Sequence, residues 1–423
     1  MTRFFHLINK PQQLLLLIAL VSYIIICWLT PDTGFTADLN CWRMWSEQMC
    51  MSGPAIAYHS GVNYLPLYLY FLYIYSLLQT SIQGIADHLT FLKYITLLFD
   101  VAGALMIVSF VTDRKMQIIF FLCLFFNIAY LYNTVIWGQI DAIHTTLLLA
   151  ALYFALKTRL TASSLFFTLS FCMKFQAVIY FPIFFLLWLP ELMNKKDWKF
   201  ISSRIVLNLL VILLVFSPFI IDAGIGYTFG YVKNMIATHS NVISKSAFNF
   251  WELLINGPLF NISDEEKMLG LSAKLWGTIL SLLFLVATII PVLNISLNPK
   301  KHGALQNHLP RIFLSLGLST LVFFYFKTGM HERYAHSALI FMAGYAFLSY
   351  DFIPYLLNSI AYFFQLNTVM TYAKYDSHMN FMVHKELTSV LFLITIGYSF
   401  YKLYATGKYA PINKYNIGNP ADA

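Results

Sequence analysis

Long apolar runs separated by short polar breaks set the pattern of this chain. Twelve runs can be traced: Gln12–Leu29, Phe91–Val111, Gln117–Ile136, Ala142–Leu156, Thr161–Phe175, Ala177–Leu189, Ile201–Ile220, Ser272–Leu293, Leu309–Phe326, Ala335–Ser349, Phe352–Tyr372 and Leu387–Tyr404. The longer ones reach the roughly 20 residues that a helix needs to cross a hydrocarbon core. Helix is the expected form, because lipid offers no partners to unpaired backbone groups. The pattern predicts an all-α, polytopic transmembrane bundle of about twelve spans, built as one membrane-embedded domain over residues 1–423. One further segment, Tyr64–Gln79, is apolar enough to span but carries Tyr64, Tyr68, Tyr70, Tyr73 and Tyr75. These rings suit the headgroup layer, so it is read as a helix lying in the interface.

Composition agrees with a membrane protein. Of 423 residues 59% are hydrophobic and 11% charged, too little polar surface to cover a soluble globule of this size. The first run is longer than a signal-peptide core and lacks a small-residue cleavage site, so it is expected to be retained as a span. With the N-terminus inside, 16 of the 27 Lys and Arg fall on the cytoplasmic side, at positions 3, 10, 114, 115, 157, 159, 195, 196, 199, 204, 300, 301, 311, 402, 408 and 414. The inner side then carries a balance of +11 and the outer side −2, the bias expected of short cytoplasmic loops. Making Tyr64–Gln79 a span would put Asp113, Arg114 and Lys115 outside and invert every later loop. The net charge of +8 thus reports topology and not nucleic-acid binding. The expected location is the inner membrane of a bacterium, with both termini cytoplasmic and two long loops outside, residues 30–90 and 222–271. Cys41 and Cys50 share the first outer loop but lie about 13 Å apart along a helix, beyond disulfide reach.

Candidate chemistry gathers at the predicted outer ends of the spans. An unpaired charge deep in hydrocarbon costs on the order of 2.5–3.5 kcal/mol, so charges at span boundaries call for a reason. Four groups stand there: Asp38 in the first outer loop; Trp137-Gly138-Gln139-Ile140-Asp141; Met173-Lys174-Phe175-Gln176; and Met330-His331-Glu332-Arg333-Tyr334. Each also has a plain structural reading. Asp38 would cap the helix after it, Gln139 and Asp141 would close a tight turn, Lys174 would snorkel to the headgroups, and His331, Glu332 and Arg333 would pair among themselves. Together they suit a different task. A carboxylate can take a proton from an attacking hydroxyl, fixed cations can bind a phosphate leaving group, and Trp42 and Trp137 suit the apolar face of a sugar. The inner loops hold no Gly-rich phosphate loop and no paired acids awaiting magnesium.

The order Asp38-Leu39-Asn40-Cys41-Trp42-Arg43-Met44-Trp45, Tyr64-Leu65-Pro66-Leu67-Tyr68, Trp137-Gly138-Gln139-Ile140-Asp141, Lys174-Phe175-Gln176, Ala247-Phe248-Asn249-Phe250-Trp251 and His331-Glu332-Arg333-Tyr334 runs over most of the chain. In this order and spacing it resembles the integral-membrane GT-C glycosyltransferases, and among them bacterial proteins similar to the eukaryotic GPI mannosyltransferase of the second mannose step. Leu65 departs from the Pro-Pro pair usual before the Leu. The resemblance implies a polyprenyl-phosphate sugar donor and inverting transfer of one hexose, mannose-like by its nearest relatives, to a lipid-linked or cell-envelope glycan, with Asp38 as general base. It implies Lys174, His331 and Arg333 as the donor-phosphate residues, and Trp42, Tyr64, Trp137, Gln139, Asp141, Asn249 and Glu332 as the sugar or acceptor lining. No cofactor or bound metal is implied, although Asp141 near Asp38 leaves room for a divalent ion. The implied partners are lipid substrates and a glycan acceptor, with no nucleic acid, and a monomer suffices.

Two rival classes share the overall pattern. A flippase or transporter would place its ionisable residues near mid-membrane on broken or repeated helices, whereas here only Asp100 is set deep in a span. An O-antigen polymerase or ligase would be expected to use a large outer loop with arginines, and Asp222–Leu271 contains none.

Overall fold

A computed structural model describes residues 11–195, 197–237, 241–298, 305–372 and 384–405. The predicted termini, with Arg3, Lys10, Lys408 and Lys414 of the charge count, lie outside the described residues, as do Lys196, His239, Lys300 and Lys301. The described chain is all-α, with strands confined to two-residue pairs.

Among the described residues seven helices are long and apolar enough to cross a membrane: Gln12–Leu29 (α1), Thr90–Ser109, Phe175–Asn194, Trp198–Ala223, Ala273–Leu297, Leu305–Phe326 and Lys385–Tyr404. Arg114–Phe125 and Ile128–Trp137 add an eighth only as one span bent by 56°. The other four apolar runs also fold as helices: Asp141–Leu156, Leu160–Met173, His336–Ser349 and Ile353–Met370. Three of them, of 16, 14 and 14 residues, rise only about 21–24 Å, short of a bilayer core. The fourth is an unbroken helix of 18 residues made less apolar by buried Asn358, Gln365 and Asn367.

A second division, by what each helix faces, cuts across the first. Trp198–Ala223 and Ala273–Leu297 turn Leu209, Leu213, Leu214, Leu282, Leu283 and Val286 outward, faces that suit hydrocarbon. His336–Ser349 and Leu309–Phe326 are instead buried almost all round and form the centre of the bundle. Gly344 and Gly317 let these two central helices approach closely. A Cβ at Gly344 would lie 2.6 Å from the Phe313 ring.

The first loop forms a cap of two helices, Thr36–Ser52 (α2) and Pro66–Leu77 (α3). Twelve residues in α3 rise about 18 Å, too short to cross. Its tyrosines do not all sit where the interfacial reading expects headgroup anchors. Tyr68 and Tyr75 are buried, Tyr75 Oη donates to the Ile85 carbonyl at 2.6 Å, and Tyr70 Oη donates to the Val215 carbonyl at 2.8 Å. The cap is therefore docked against the bundle by protein contacts. His59 on Asp222 at 2.8 Å, with its ring stacked on Tyr227, ties the first loop to the second. Cys41 and Cys50 are free thiols.

Candidate active site

The chain before α2 is held by one lysine. Lys93, 3% exposed near the start of the Thr90–Ser109 helix, donates to the carbonyls of Pro31 (2.9 Å), Thr33 (2.5 Å) and Val135 (2.8 Å). All three ammonium hydrogens are used, and they join the first loop to the end of the Ile128–Trp137 helix. That helix closes in a wide turn at Tyr132–Trp137 and reverses at Gly138, whose φ of 88° is left-handed. A Cβ at Gly138 would stand 2.9 Å from Leu39 Cδ2, so the two segments touch directly. Phe35 N–H donates to the Trp137 carbonyl at 3.0 Å, the Phe35 and Trp137 rings stack at 4.6 Å, and Trp42 Nε1 donates to the Gly138 carbonyl at 3.1 Å.

This clamp delivers Asp38. It is the third residue of α2, whose N-cap is Phe35 without a side-chain cap bond, so Asp38 does not cap the helix. Its Oδ2 instead accepts from Trp137 Nε1 at 2.8 Å and Gln139 Nε2 at 2.5 Å, and Arg333 Nη1 lies 3.9 Å from the same oxygen. Tyr64 Oη donates to Gln139 Oε1 at 3.3 Å, which turns the amide nitrogen toward Asp38. Among the described residues no hydrogen bond reaches Oδ1, and the side chain keeps 18% exposure. One oxygen is oriented and the other is open.

Asp141 begins the next helix and is buried. Lys174 Nζ hydrogen-bonds its Oδ1, Asn133 Nδ2 donates to its Oδ2 at 3.2 Å, and His144 Nε2 stands 3.9 Å away. Lys174 is 12% exposed and lies 4.9 Å over the Tyr334 ring, so it turns inward and does not snorkel. Among the described residues there is no group of three or more His, Cys, Asp and Glu placed to hold a metal ion.

The His331–Arg333 turn connects the Leu305–Phe326 and His336–Ser349 helices. Met330–His331 pairs in parallel with Ser244–Lys245, in register Ser244 to Met330 and Lys245 to His331. Arg333 Nη1 donates to Glu332 Oε1 at 2.8 Å, and His331 Nδ1 lies 3.7 Å from Glu332 Oε2. Gln365 Nε2 bonds the Glu332 carbonyl, and Gln176 Nε2 donates to that of Tyr334 at 2.9 Å. Burial alone would raise the Glu332 carboxyl, but the neighbouring His331 and the Arg333 charge outweigh it and hold it at about 2. Burial, helped by the Arg333 charge, pushes the His331 imidazole below its ordinary value. His331 is thus a neutral hydrogen-bonding group at pH 7. The fixed charge of the turn is the guanidinium, whose Nε is buried without a hydrogen-bond partner among the described residues.

His331 predicts a pH effect. The folded state binds its proton less readily than the unfolded state, so below about pH 6.5 acid favours unfolding through this group. His331→Gln is expected to lose less melting temperature than the parent between pH 7.5 and 5.5. An equal loss in both would show that His331 does not carry the linkage.

The four sequence groups therefore do meet: Asp38, Trp137 and Gln139 directly, Arg333 within 3.9 Å of Asp38, and Lys174 and Arg333 over one Tyr334 ring at 4.9 and 5.8 Å. Two expected lining residues carry internal hydrogen bonds. Trp42 is buried in a cluster with Trp45, Tyr64 and Tyr68, its Nε1 on the Gly138 carbonyl. Asn249 is fully buried, with Nδ2 on the Phe324 carbonyl at 3.2 Å and Oδ1 receiving Trp251 N–H at 3.3 Å, and is a structural cap. Lys93, Asn133 and Lys245 are additions that the boundary groups did not include. A lysine just inside an apolar run was the available signal for Lys93. No protein-family model matches the chain, and no curated protein matches it.

Proposed function

We propose that the protein is an inverting glycosyltransferase that moves one hexose, mannose-like in the favoured reading, from a polyprenyl phosphate to a hydroxyl of a lipid-linked or cell-envelope glycan. The observation that carries this reading is the setting of Asp38: one carboxylate oxygen held by Trp137 and Gln139, the other open, and a buried guanidinium alongside. In the proposed step Asp38 Oδ1 takes the proton of the acceptor hydroxyl. The acceptor oxygen bonds to the anomeric carbon from the face opposite the phosphate. The bond from that carbon to the phosphate oxygen breaks, and the electron pair leaves with polyprenyl phosphate. Arg333, and Lys174 through the hydrogens that Asp141 does not take, stabilise that leaving charge.

Fixed donors aimed at a developing charge reorganise little during reaction, which is why their burial suits catalysis. The proposed topology keeps twelve passes, with His336–Ser349 and Leu305–Phe326 at the centre and the helices that turn apolar side chains outward around them. On this reading Asp38, Lys174 and Arg333 lie together at the outer face of a bacterial inner membrane, in a fold of GT-C type.

The test is donor affinity. Arg333→Gln is expected to raise the apparent KM for a polyprenyl-phosphate hexose by about tenfold or more, the scale of one hydrogen bond to a charged group. Unchanged donor affinity in both Arg333→Gln and Lys174→Gln would remove the phosphate from this site. Trp137→Phe keeps the ring stack on Phe35 and loses only the N–H donor. Turnover is expected to fall about tenfold, with melting temperature near that of the parent. Parental turnover in this variant would show that the bond does not orient the base.

A further inference from the structure

Behind the His331–Arg333 turn lies a cavity of about 190 Å³ that none of the groups above enters. Ser244, Ser246, Phe248, Glu252, Phe260 and Lys385 line it. It shares a wall with the candidate site. Lys245, between the two lining serines, pairs in register with His331 and feels the charges of Arg333 and Glu332. Phe248 N–H donates to Gln365 Oε1 at 2.8 Å, and the amide of the same glutamine holds the Glu332 carbonyl. An occupant of the cavity would thus be separated from Arg333 by one strand pair and one glutamine.

The lining chemistry selects the occupant. Glu252 is buried, and its Oε1 stands 4.0 Å from Lys385 Nζ, a pair too far apart for a hydrogen bond. The gap leaves a carboxylate able to accept and an ammonium able to donate within reach of one small ligand. The two charges cancel, which disfavours a phosphate or another polyanion. Phe260 is 56% exposed at the rim and presents a bare ring, and Phe248 lies under Lys385 at 5.8 Å. Groups that both donate and accept, attached to a puckered ring with an apolar face, are what a neutral sugar offers. The volume is below the roughly 300–1,000 Å³ of drug-sized pockets, so it suits one ring and not a chain.

We propose that this cavity is a neutral-sugar subsite that holds a residue of the acceptor glycan. The acceptor role rests on the glycosyl-transfer reading, whereas sugar binding does not. The test uses the full-length protein in lipid nanodiscs and saturation-transfer NMR with methyl α-mannoside, methyl β-glucoside, methyl β-galactoside and N-acetylglucosamine. At least one is expected to bind the parent and Asp38→Asn alike, with Kd raised about 5- to 10-fold by Phe260→Ser or Lys385→Gln, the scale of losing a ring contact or a charged hydrogen bond. Phe260 and Lys385 are both well exposed, so these variants are expected to fold. Binding that is untouched by the combined Phe260→Ser and Lys385→Gln variant, or no binding by any of the four sugars, overturns the subsite. Binding that is lost in the variants while the parent leaves every polyprenyl-phosphate hexose intact supports the subsite and rejects the transferase reading. If transfer is observed, the same variants are expected to raise the KM for acceptor and to leave the KM for donor unchanged.

Discussion

Asp38→Asn is expected to lower turnover at least about 100-fold while leaving the fold and donor binding near parental. The amide has the size of the carboxyl, and its oxygen can still accept from Trp137 Nε1 and Gln139 Nε2. What it lacks is a basic oxygen on the open side, and loss of a positioned general base is worth about 10²–10⁴ in rate. The comparison needs three readings on one preparation: melting temperature, donor affinity and single-turnover rate. A drop in all three would describe a damaged fold. A drop in rate alone is the proposed signature, and parental rate would take the role of base away from Asp38.

The second large effect is expected far from any substrate. Lys93→Met keeps most of the side chain's apolar bulk but leaves the Pro31, Thr33 and Val135 carbonyls without their donor. Leaving one buried polar group unsatisfied costs about 1–3 kcal/mol, so three of them point to a loss of about 3 kcal/mol or more. The loss also has a direction, because these bonds join the loop before α2 to the turn that supplies Trp137 and Gln139. The Met variant is expected to melt lower, to be cut by protease in residues 30–35 where the parent is not, and to turn over slowly. Parental melting and cleavage together would mean that the three carbonyls find other donors.

The helices were legible because hydrocarbon-length apolar runs leave the backbone few options, and each of the twelve runs contains a helix or most of one. Which helices are long enough to cross was less legible. Hydrophobicity does not separate a helix that faces lipid from one that faces other helices, so His336–Ser349 reads like a span although protein surrounds it. Site residues were legible where a charge stood at the edge of an apolar run. Asp38, Asp141, Lys174 and Arg333 are costly there without partners, and the structure places their partners among one another. Residues with two common uses were not legible. Trp42 and Asn249 carry polar groups that fit a sugar or a backbone carbonyl equally well, and both take the carbonyl. Lys93 stands just inside an apolar run, and nothing in its spacing reveals three carbonyls from segments about 40 and 60 residues away.

Asp141 and Lys174 show how the two levels combine. Sequence position marks each as an acid or a base at a helix end, and the fold makes them a pair, with Asn133 on the second carboxylate oxygen. Removing one partner of a buried pair strands the other, so a Lys174 variant needs a stability control before its donor affinity is interpreted.

The most direct measurement is single-turnover transfer by the purified full-length protein in nanodiscs, with a polyprenyl phosphate carrying a radiolabelled hexose and a panel of glycan acceptors. The account predicts that the label leaves the donor for an acceptor hydroxyl with inversion at the anomeric carbon, and that Asp38→Asn suppresses this. Donors left intact across the hexoses and acceptors tried, alongside consumption of a diphosphate-linked oligosaccharide or movement of a lipid-linked sugar across the bilayer, would contradict it.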